Sequence, residues 1–165
     1  MSKLTIRKAG QADADLVVNF IQALAQYERL DGPDAAGEER IRRFGWGEHP
    51  RFEVLLAFEN QTPVGFALYF YQFSTFEARP TLYLEDLFVY PENRGHGYGK
   101  ALLSALAREA VAQACGRMDW MVLDWNQPAI DFYKRLGAEV MTEWQLCRLR
   151  ADVLQVLAKA QSTDV

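Results

Sequence analysis

The sequence predicts an α/β chain of the α+β type, in which an antiparallel meander of strands is accompanied by helices. Three features indicate this class. An amphipathic helical stripe lies near the amino terminus, three strand-like runs occupy the middle, and a helix–strand–helix pattern follows a glycine cluster. The length of 165 residues, half of them hydrophobic, suits one ordinary core, so we expect a single domain over residues 1–165.

The first half of the chain shows two kinds of periodicity. A three-or-four-residue spacing of apolar side chains predicts the first helix, and the stripe consists of Leu16, Val17, Phe20, Ile21, Leu24 and Ala25. A polar connection over 31–37 leads to a short helix over 38–44. The aromatic and β-branched runs are typical of an antiparallel meander. The strands expected in this half are 5–8, 52–58, 63–73 and 81–90.

The second half changes period after residue 94. Apolar residues return at helical spacing, at Leu102, Leu103, Leu106 and Ala110. Gly137 is placed to stop a helix. The elements expected after the stripe are a strand over 118–123, a helix over 128–136, a strand over 139–149, a helix over 151–160 and a frayed tail over 161–165.

Bulk composition excludes several classes of function. A net charge of −4 provides no basic field for nucleic acid or an anionic membrane. The two cysteines, Cys115 and Cys147, lack the spacing of a zinc site or a disulfide framework, so we expect no metal and a reducing compartment. No apolar stretch suits a signal peptide or a membrane span, and we therefore expect a soluble, cytoplasmic protein.

The most informative segment is Arg94-Gly95-His96-Gly97-Tyr98-Gly99-Lys100, between a strand and a helix. Its alternate glycines let main-chain N–H groups approach an anion at a helix start, and Arg94 and Lys100 add positive charge. A dinucleotide fingerprint starting at Gly95 fails because Lys100 stands where glycine or alanine is required. A P-loop fails because Ala101 replaces serine or threonine. A glycine-rich turn without a ligand is the other interpretation.

The remaining pattern, Arg94-x-x-Gly97-x-Gly99, resembles the coenzyme A loop of the GNAT superfamily of N-acetyltransferases. The runs 83–89, 122–126 and 128–138 resemble the spermidine/spermine acetyltransferase branch, in the same order. Ser74-Thr75-Phe76 and the 122–126 block are more similar to the thialysine N-epsilon-acetyltransferases. The resemblance implies the GNAT fold, with a mixed, mainly antiparallel, splayed sheet flanked by helices. It also implies acetyl-CoA as co-substrate, a lysine-like amine as acceptor, and a homodimer.

An aliphatic ammonium, with a pKa of about 10.4, must lose a proton before it attacks a thioester. Glu85 is the expected general base, because it lies in an apolar strand that should raise its pKa. The resemblance assigns the neighbouring Asp86 to the substrate amine and matches Tyr27 and Glu28 to substrate-side positions. Alternation places Glu85 and Asp86 on opposite faces unless a bulge intervenes. For Glu85 and Asp86, the alternatives are a solvated stretch of an edge strand and a buried pair of carboxylates neutralised by arginine. For Tyr27 and Glu28, the alternative is the polar end of the first helix.

The thiolate that leaves coenzyme A needs a proton donor. The resemblance assigns this role to Tyr133, with a core aromatic as the alternative. Asn126 caps a helix, bonds the pantetheine arm, or does both. Lys134 and Arg135 either contact the phosphate of coenzyme A that lies outside the diphosphate, or are simply solvated side chains of a surface helix. The resemblance implies that the backbone of Leu87, Phe88 and Val89 lies alongside the pantetheine and polarises the acetyl carbonyl. The expected coenzyme-binding set also includes His96, Tyr98 and Gly99. The alternative for His96 is an exposed loop residue without a role.

Two other functions stay open at this point: a diamine or polyamine acetyltransferase, and a non-catalytic acyl-CoA-binding sensor. Retention of both Glu85 and Tyr133 favours an enzyme over a sensor, because a protein that only binds the coenzyme needs neither. The apolar residues Trp144, Leu146 and Leu149 of the last expected strand either pair across a dimer or complete the sheet.

Overall fold

A computed structural model describes residues 3–159, and the chain divides into two compact units, residues 1–121 and 122–165. The first unit contains β1 (Leu4–Lys8), α1 (Ala14–Glu28), α2 (Ala35–Trp46), β2 (Glu53–Glu59), β3 (Thr62–Ser74), β4 (Arg79–Val89), α3 (Tyr98–Ala112) and β5 (Arg117–Trp120). The second unit contains α4 (Gln127–Arg135) and α5 (Ala151–Lys159). Within residues 3–159, no helix is both long enough and apolar enough to cross a membrane.

The five strands form one mixed sheet in the order β1-β2-β3-β4-β5. The first four strands pair antiparallel with one another, and β5 runs parallel to β4. The mainly antiparallel, mixed sheet expected from the sequence is therefore confirmed. The parallel pairing is short, because it joins Thr81–Leu84 of β4 to Arg117–Trp120 of β5 and stops there.

One face of the sheet, here called the α1 face, packs against helix α1. Val17 and Phe20 of α1 are fully buried, and the Phe20 ring stacks on the Phe66 ring of β3 at a centroid distance of 5.2 Å. Burial of such an aromatic side chain contributes about 1.5–3 kcal/mol. The remaining buried members of this core are Val54, Leu56, Leu68 and Phe88. This apolar layer fixes α1 on the sheet and so fixes the position of its carboxyl end.

Helix α3 lies against the opposite face, here called the α3 face, and a polar network joins its second half to three strands. The Lys8 ammonium of β1 bridges Glu53 of β2 at 2.7 Å and Glu109 of α3 at 3.2 Å. The hydroxyls of Tyr69 and Tyr71 in β3 donate to the same two carboxylates, at 3.2 Å and 3.1 Å. The pKa of both phenols is raised, mainly by burial and to a smaller extent by the two carboxylates. The network holds α3 in place behind the glycine cluster.

Two boundaries in the first unit differ from the sequence prediction by three residues, for local reasons. Helix α2 begins at Ala35 rather than at residue 38, because the Asp34 carboxylate accepts the Gly37 N–H at 2.7 Å and caps the helix earlier. Strand β5 ends at Trp120 rather than at residue 123, because the parallel ladder meets an irregularity in β4 directly after Leu84.

The second unit confirms two predicted helices over its described residues and contradicts the predicted last strand. Helix α4 begins with Pro128 in its first turn, and Gly137 beyond its end adopts a φ of 90°. The strand expected over 139–149 is wrong: these residues have no regular structure, and Trp144, Leu146 and Leu149 are exposed. A strand needs a partner for its backbone groups, and none of the described residues pairs with this segment. Helix α5 agrees with the prediction up to Lys159; residue 160 and the tail over 161–165 lie outside the described residues.

Candidate active site

The glycine cluster forms an open loop at the start of α3. Gly95 and Gly97 adopt φ angles of 81° and 84°, which residues with a Cβ rarely adopt. A Cβ at either position would meet no atom within 4 Å, so the space beside the loop is open. The first-turn N–H groups of Gly99 and Lys100 have no carbonyl partner within their own helix. The loop therefore presents main-chain donors and the positive end of a helix dipole to an open space, which suits a diphosphate.

The side chains of the loop are not equally available to a ligand. Lys100 is exposed. The His96 ring stacks on the Tyr98 ring at 5.6 Å, and its Nδ1 lies 3.0 Å from the Arg94 carbonyl oxygen. Arg94 is engaged within the protein, since its Nε donates to the Val89 carbonyl at 3.0 Å and its guanidinium lies 4.3 Å from the centroid of the Tyr27 ring.

The second half of β4 has a free outer edge. Beyond the Leu84–Trp120 pair, no described residue pairs with β4 on the side away from β3. Main-chain groups of Leu87 and Val89 can therefore meet an extended ligand. The Phe88 side chain is only 3% exposed and belongs to the core, so Phe88 can contribute through its backbone alone.

A bulge separates the two halves of β4. Leu84 stands opposite Tyr69, Asp86 stands opposite Leu68, and Glu85 between them has no partner residue on β3. The extra residue reverses the alternation of faces. Leu84 therefore points to the α3 face with Tyr69, whereas Asp86 points to the α1 face with Leu68. The bulge that the sequence analysis allowed for is present, and Glu85 is the inserted residue.

The two adjacent carboxylates have different surroundings, and this corrects the basis on which Glu85 was chosen. Glu85 is exposed, whereas Asp86 is partly buried. Burial, with the negative charges of Glu85 and Glu28, raises the pKa of Asp86 to about 7. The apolar environment expected at Glu85 is thus found one residue later, because the bulge turns Asp86 toward the core side of the sheet.

Tyr27 and Glu28 form the end of α1, beside Asp86. The Tyr27 ring lies 6.3 Å from the Phe88 ring, and burial raises the pKa of Glu28. Glu28 also acts electrostatically on Asp86, so the structure brings together the substrate-side residues expected from the sequence. Among residues 3–159, no Lys, Arg or His forms an ion pair with Glu28, Glu85 or Asp86. The alternative of an arginine-satisfied pair is therefore wrong for the described chain.

In the second unit, three expected site residues lie in helix α4 or at its N-cap. Asn126 is 8% exposed and caps α4, since its side-chain oxygen accepts the Ala129 N–H at 3.4 Å. Tyr133 is partly buried, and its ring lies 5.3 Å from the Phe132 ring. Lys134 is exposed in the last turn.

Sequence reasoning missed two features of the first unit. One is the contact of Arg94 with Tyr27, which no local signal predicts because the two residues lie on different elements. The other is an aromatic pair on the α1 face next to the carboxylates, in which the Phe70 and Tyr83 rings are 5.1 Å apart. Strict alternation along β4 would have assigned Tyr83 and Asp86 to opposite faces.

Comparisons with known proteins identify the family of this chain. Residues 19–138 match the model of the acetyltransferase (GNAT) family. The chain belongs to that family. The GNAT fold and the resemblance found in the sequence are thereby confirmed, and the protein is an acetyltransferase.

Several characterised proteins and solved structures are similar to this GNAT protein. Thialysine N-epsilon-acetyltransferase of Bos taurus is 37% identical over 96% of this chain and 99% of its own. L-ornithine N5-acetyltransferase of Arabidopsis thaliana is 46% identical over a shorter stretch, 58% of this chain and 42% of its own. An integron cassette protein from the mobile metagenome of V. cholerae is similar in structure, with a TM-score of 0.79, 31% identity, and coverage of 95% of this chain and 98% of its own. The Bos taurus relative, which is matched over nearly the whole of both chains, supports the thialysine branch.

Proposed function

We propose that this GNAT protein transfers the acetyl group of acetyl-CoA to the side-chain primary amine of a lysine-like amino acid such as thialysine. Two similar proteins carry the names of enzymes that acetylate thialysine and ornithine, and both of these are amino acids with an amine at the end of the side chain. The observation that carries the proposal is the open glycine loop at the end of a strand whose outer edge is free.

The loop is the proposed site for the diphosphate of the donor. Main-chain N–H groups of residues 95–100 hold it, and the exposed Lys100 adds a positive charge at the far end of the loop. Arg94, which is engaged by Val89 and Tyr27, adds positive charge at the near end without a direct contact. The pantetheine arm lies along the free edge of β4, where a main-chain N–H of residues 87–89 polarises the acetyl carbonyl. Asn126 and Lys134 complete the coenzyme-binding set as proposed from the resemblance.

The carboxylates at the bulge are the proposed site for the acceptor amine. Glu28, Glu85 and Asp86 lie together without a cationic partner among the described residues, so a bound ammonium supplies the missing charge. Asp86 and the Tyr27–Glu28 end of α1 hold the amine. Glu85, the exposed member, acts as general base through a water molecule and passes the proton to solvent.

Tyr133 is the proposed general acid, which donates its phenolic proton to the departing thiolate. The structure supplies a partly buried phenol on a capped helix. A single acetyltransferase domain over residues 1–165 is also part of the proposal. Further parts are a homodimer in the cytoplasm, with no metal and no association with nucleic acid or membrane.

Two measurements test this function. Isothermal calorimetry of the purified protein with CoA and acetyl-CoA tests the loop, and absence of any heat of association would overturn the proposal. Thiol release from acetyl-CoA is then followed with thialysine, lysine, ornithine, putrescine, spermidine and an aminoglycoside. We expect thialysine or a close analogue to give the highest kcat/KM. A preference for spermidine would assign the protein to the polyamine branch, and coenzyme binding without turnover on any amine would indicate a sensor.

A further inference from the structure

A continuous row of aromatic rings crosses the α1 face from the core to the glycine loop. The Phe20 ring stacks on Phe66 at 5.2 Å and on Tyr90 at 4.9 Å. Tyr90 contacts Phe88 at 5.6 Å, and Phe88 contacts Tyr27 at 6.3 Å. Phe20, Phe66 and Phe88 are buried and Tyr90 is partly buried, so the row is a well-packed support for its outermost ring, Tyr27.

Arg94 closes the outer end of this row. Its guanidinium carbon lies 4.3 Å from the Tyr27 centroid and 5.7 Å from the Phe88 centroid. Its Nε donates to the Val89 carbonyl at 3.0 Å, and its own N–H donates to the Pro91 carbonyl at 3.2 Å. A planar guanidinium can stack on a ring and donate in its plane at the same time, whereas a lysine ammonium cannot.

These contacts join two parts of the proposed site. Arg94 is the first residue of the coenzyme loop, and Val89 ends the strand proposed to carry the pantetheine. Tyr27 immediately precedes Glu28, at the end of a helix that Arg29 terminates with a left-handed φ of 60°. One side chain thus links the donor side of the site to the acceptor side.

We propose that Arg94 is a positioning residue, whose guanidinium braces the end of α1 against the coenzyme loop and so places Glu28 for the acceptor amine. The inference rests on the proposed function, because it assigns the end of α1 to amine binding. Under this proposal the guanidinium does not contact the diphosphate, and its stacking matters more than its charge.

The test compares Arg94→Lys with Lys100→Met. Arg94→Lys keeps the charge but loses the planar stack, so we expect KM for the amine to rise about fivefold at saturating acetyl-CoA, with the calorimetric Kd for CoA changed less than about twofold. Lys100→Met removes a charge from the same loop and leaves the Arg94 guanidinium in place, so the matched variant should weaken CoA binding while the amine KM changes little. Tyr27→Leu should raise the amine KM, and adding Arg94→Lys to it should produce little further change.

Two results would overturn this inference. One is an Arg94→Lys variant that loses CoA affinity tenfold while its amine KM is unchanged, which would make Arg94 a direct ligand of the diphosphate. The other is an Arg94→Lys variant that is indistinguishable from the wild type. Wild-type turnover is measured first. If the wild type turned over none of the amines, the proposed function itself would fail. If the wild type were active and Arg94→Lys had the same kinetic constants, only the role of Arg94 would fail.

Discussion

Asp86 lies directly opposite Leu68 across strands β3 and β4, on the face of the sheet that packs against α1. This register exists only because Glu85 is an extra residue in β4. A carboxylate is thereby placed beside apolar side chains, next to the acidic end of α1, and the pKa of Asp86 rises to about 7 through burial and the charges of Glu85 and Glu28. Under the proposed function, binding of an acceptor ammonium would relieve that unfavourable burial of negative charge.

The raised pKa of Asp86 predicts how stability depends on pH. The folded-state pKa of about 7 lies above the ordinary value of 3.8, so the folded protein keeps a proton that the unfolded chain loses within this window. The free energy of unfolding attributable to Asp86 therefore falls as the pH rises from about 4 to about 7, and the loss is complete above that. Asp86→Asn should be more stable than the wild type at pH 8 by up to about 4 kcal/mol, and this advantage should shrink toward pH 4.

Urea unfolding at pH 4, 5.5 and 8 measures this difference. Asp31→Asn is the matched control, because Asp31 is exposed in a loop and its replacement should change stability by less than about 0.5 kcal/mol at each pH. A constant difference between Asp86→Asn and the wild type across the pH range would contradict the raised pKa.

Glu85→Gln tests the proposed general base. Loss of the proton acceptor should lower kcat/KM about a hundredfold near pH 7, with partial recovery at alkaline pH as more of the amine, with a reference pKa of about 10.4, loses its proton unaided. Full pH–rate profiles provide the measurement. Asp86→Asn serves as the comparison, since under the proposal it acts chiefly on the amine KM. If Glu85→Gln retained the wild-type profile, the base would have to be another group.

Tyr133→Phe tests the proposed general acid. The substitution removes only the hydroxyl and keeps the ring that contacts Phe132, so helix α4 should be preserved. We expect kcat to fall about a hundredfold, because the departing thiolate loses its proton donor, while the calorimetric Kd for CoA stays nearly constant. Unchanged turnover would remove Tyr133 from the mechanism, and an equal loss of CoA affinity would assign it to binding.

Gly97→Ala tests the coenzyme loop. The φ of 84° disfavours a Cβ by about 1 kcal/mol, and the added methyl group would enter the open space beside the loop. We expect CoA affinity to fall at least about tenfold. Gly137→Ala is the matched control, because Gly137 has a similar φ of 90° and also faces open space, but follows α4. Both variants should lose similar stability in thermal unfolding; equal CoA affinity in the two would argue against a diphosphate site at residues 95–100.

The sequence could predict the order of most elements and the family, because these depend on signals along the chain. Apolar periodicity located α1, α3 and α4, and β-branched and aromatic runs located β2 to β4. The glycine spacing identified the loop because φ angles near 80° at Gly95 and Gly97 are a local property of the backbone. The cap of α4 was equally accessible, since Asn126 and Pro128 are neighbours in the chain.

Only the tertiary structure decided which carboxylate is buried, what Arg94 contacts and that residues 139–149 do not form a strand. Each outcome depends on a partner far away in the chain: Leu68 sets the face of Asp86, Tyr27 receives the guanidinium, and a strand forms only where another strand meets its backbone groups. Local propensity specifies what a segment is able to form. The register between strands, and therefore the face on which each side chain lies, is fixed when distant segments pack together.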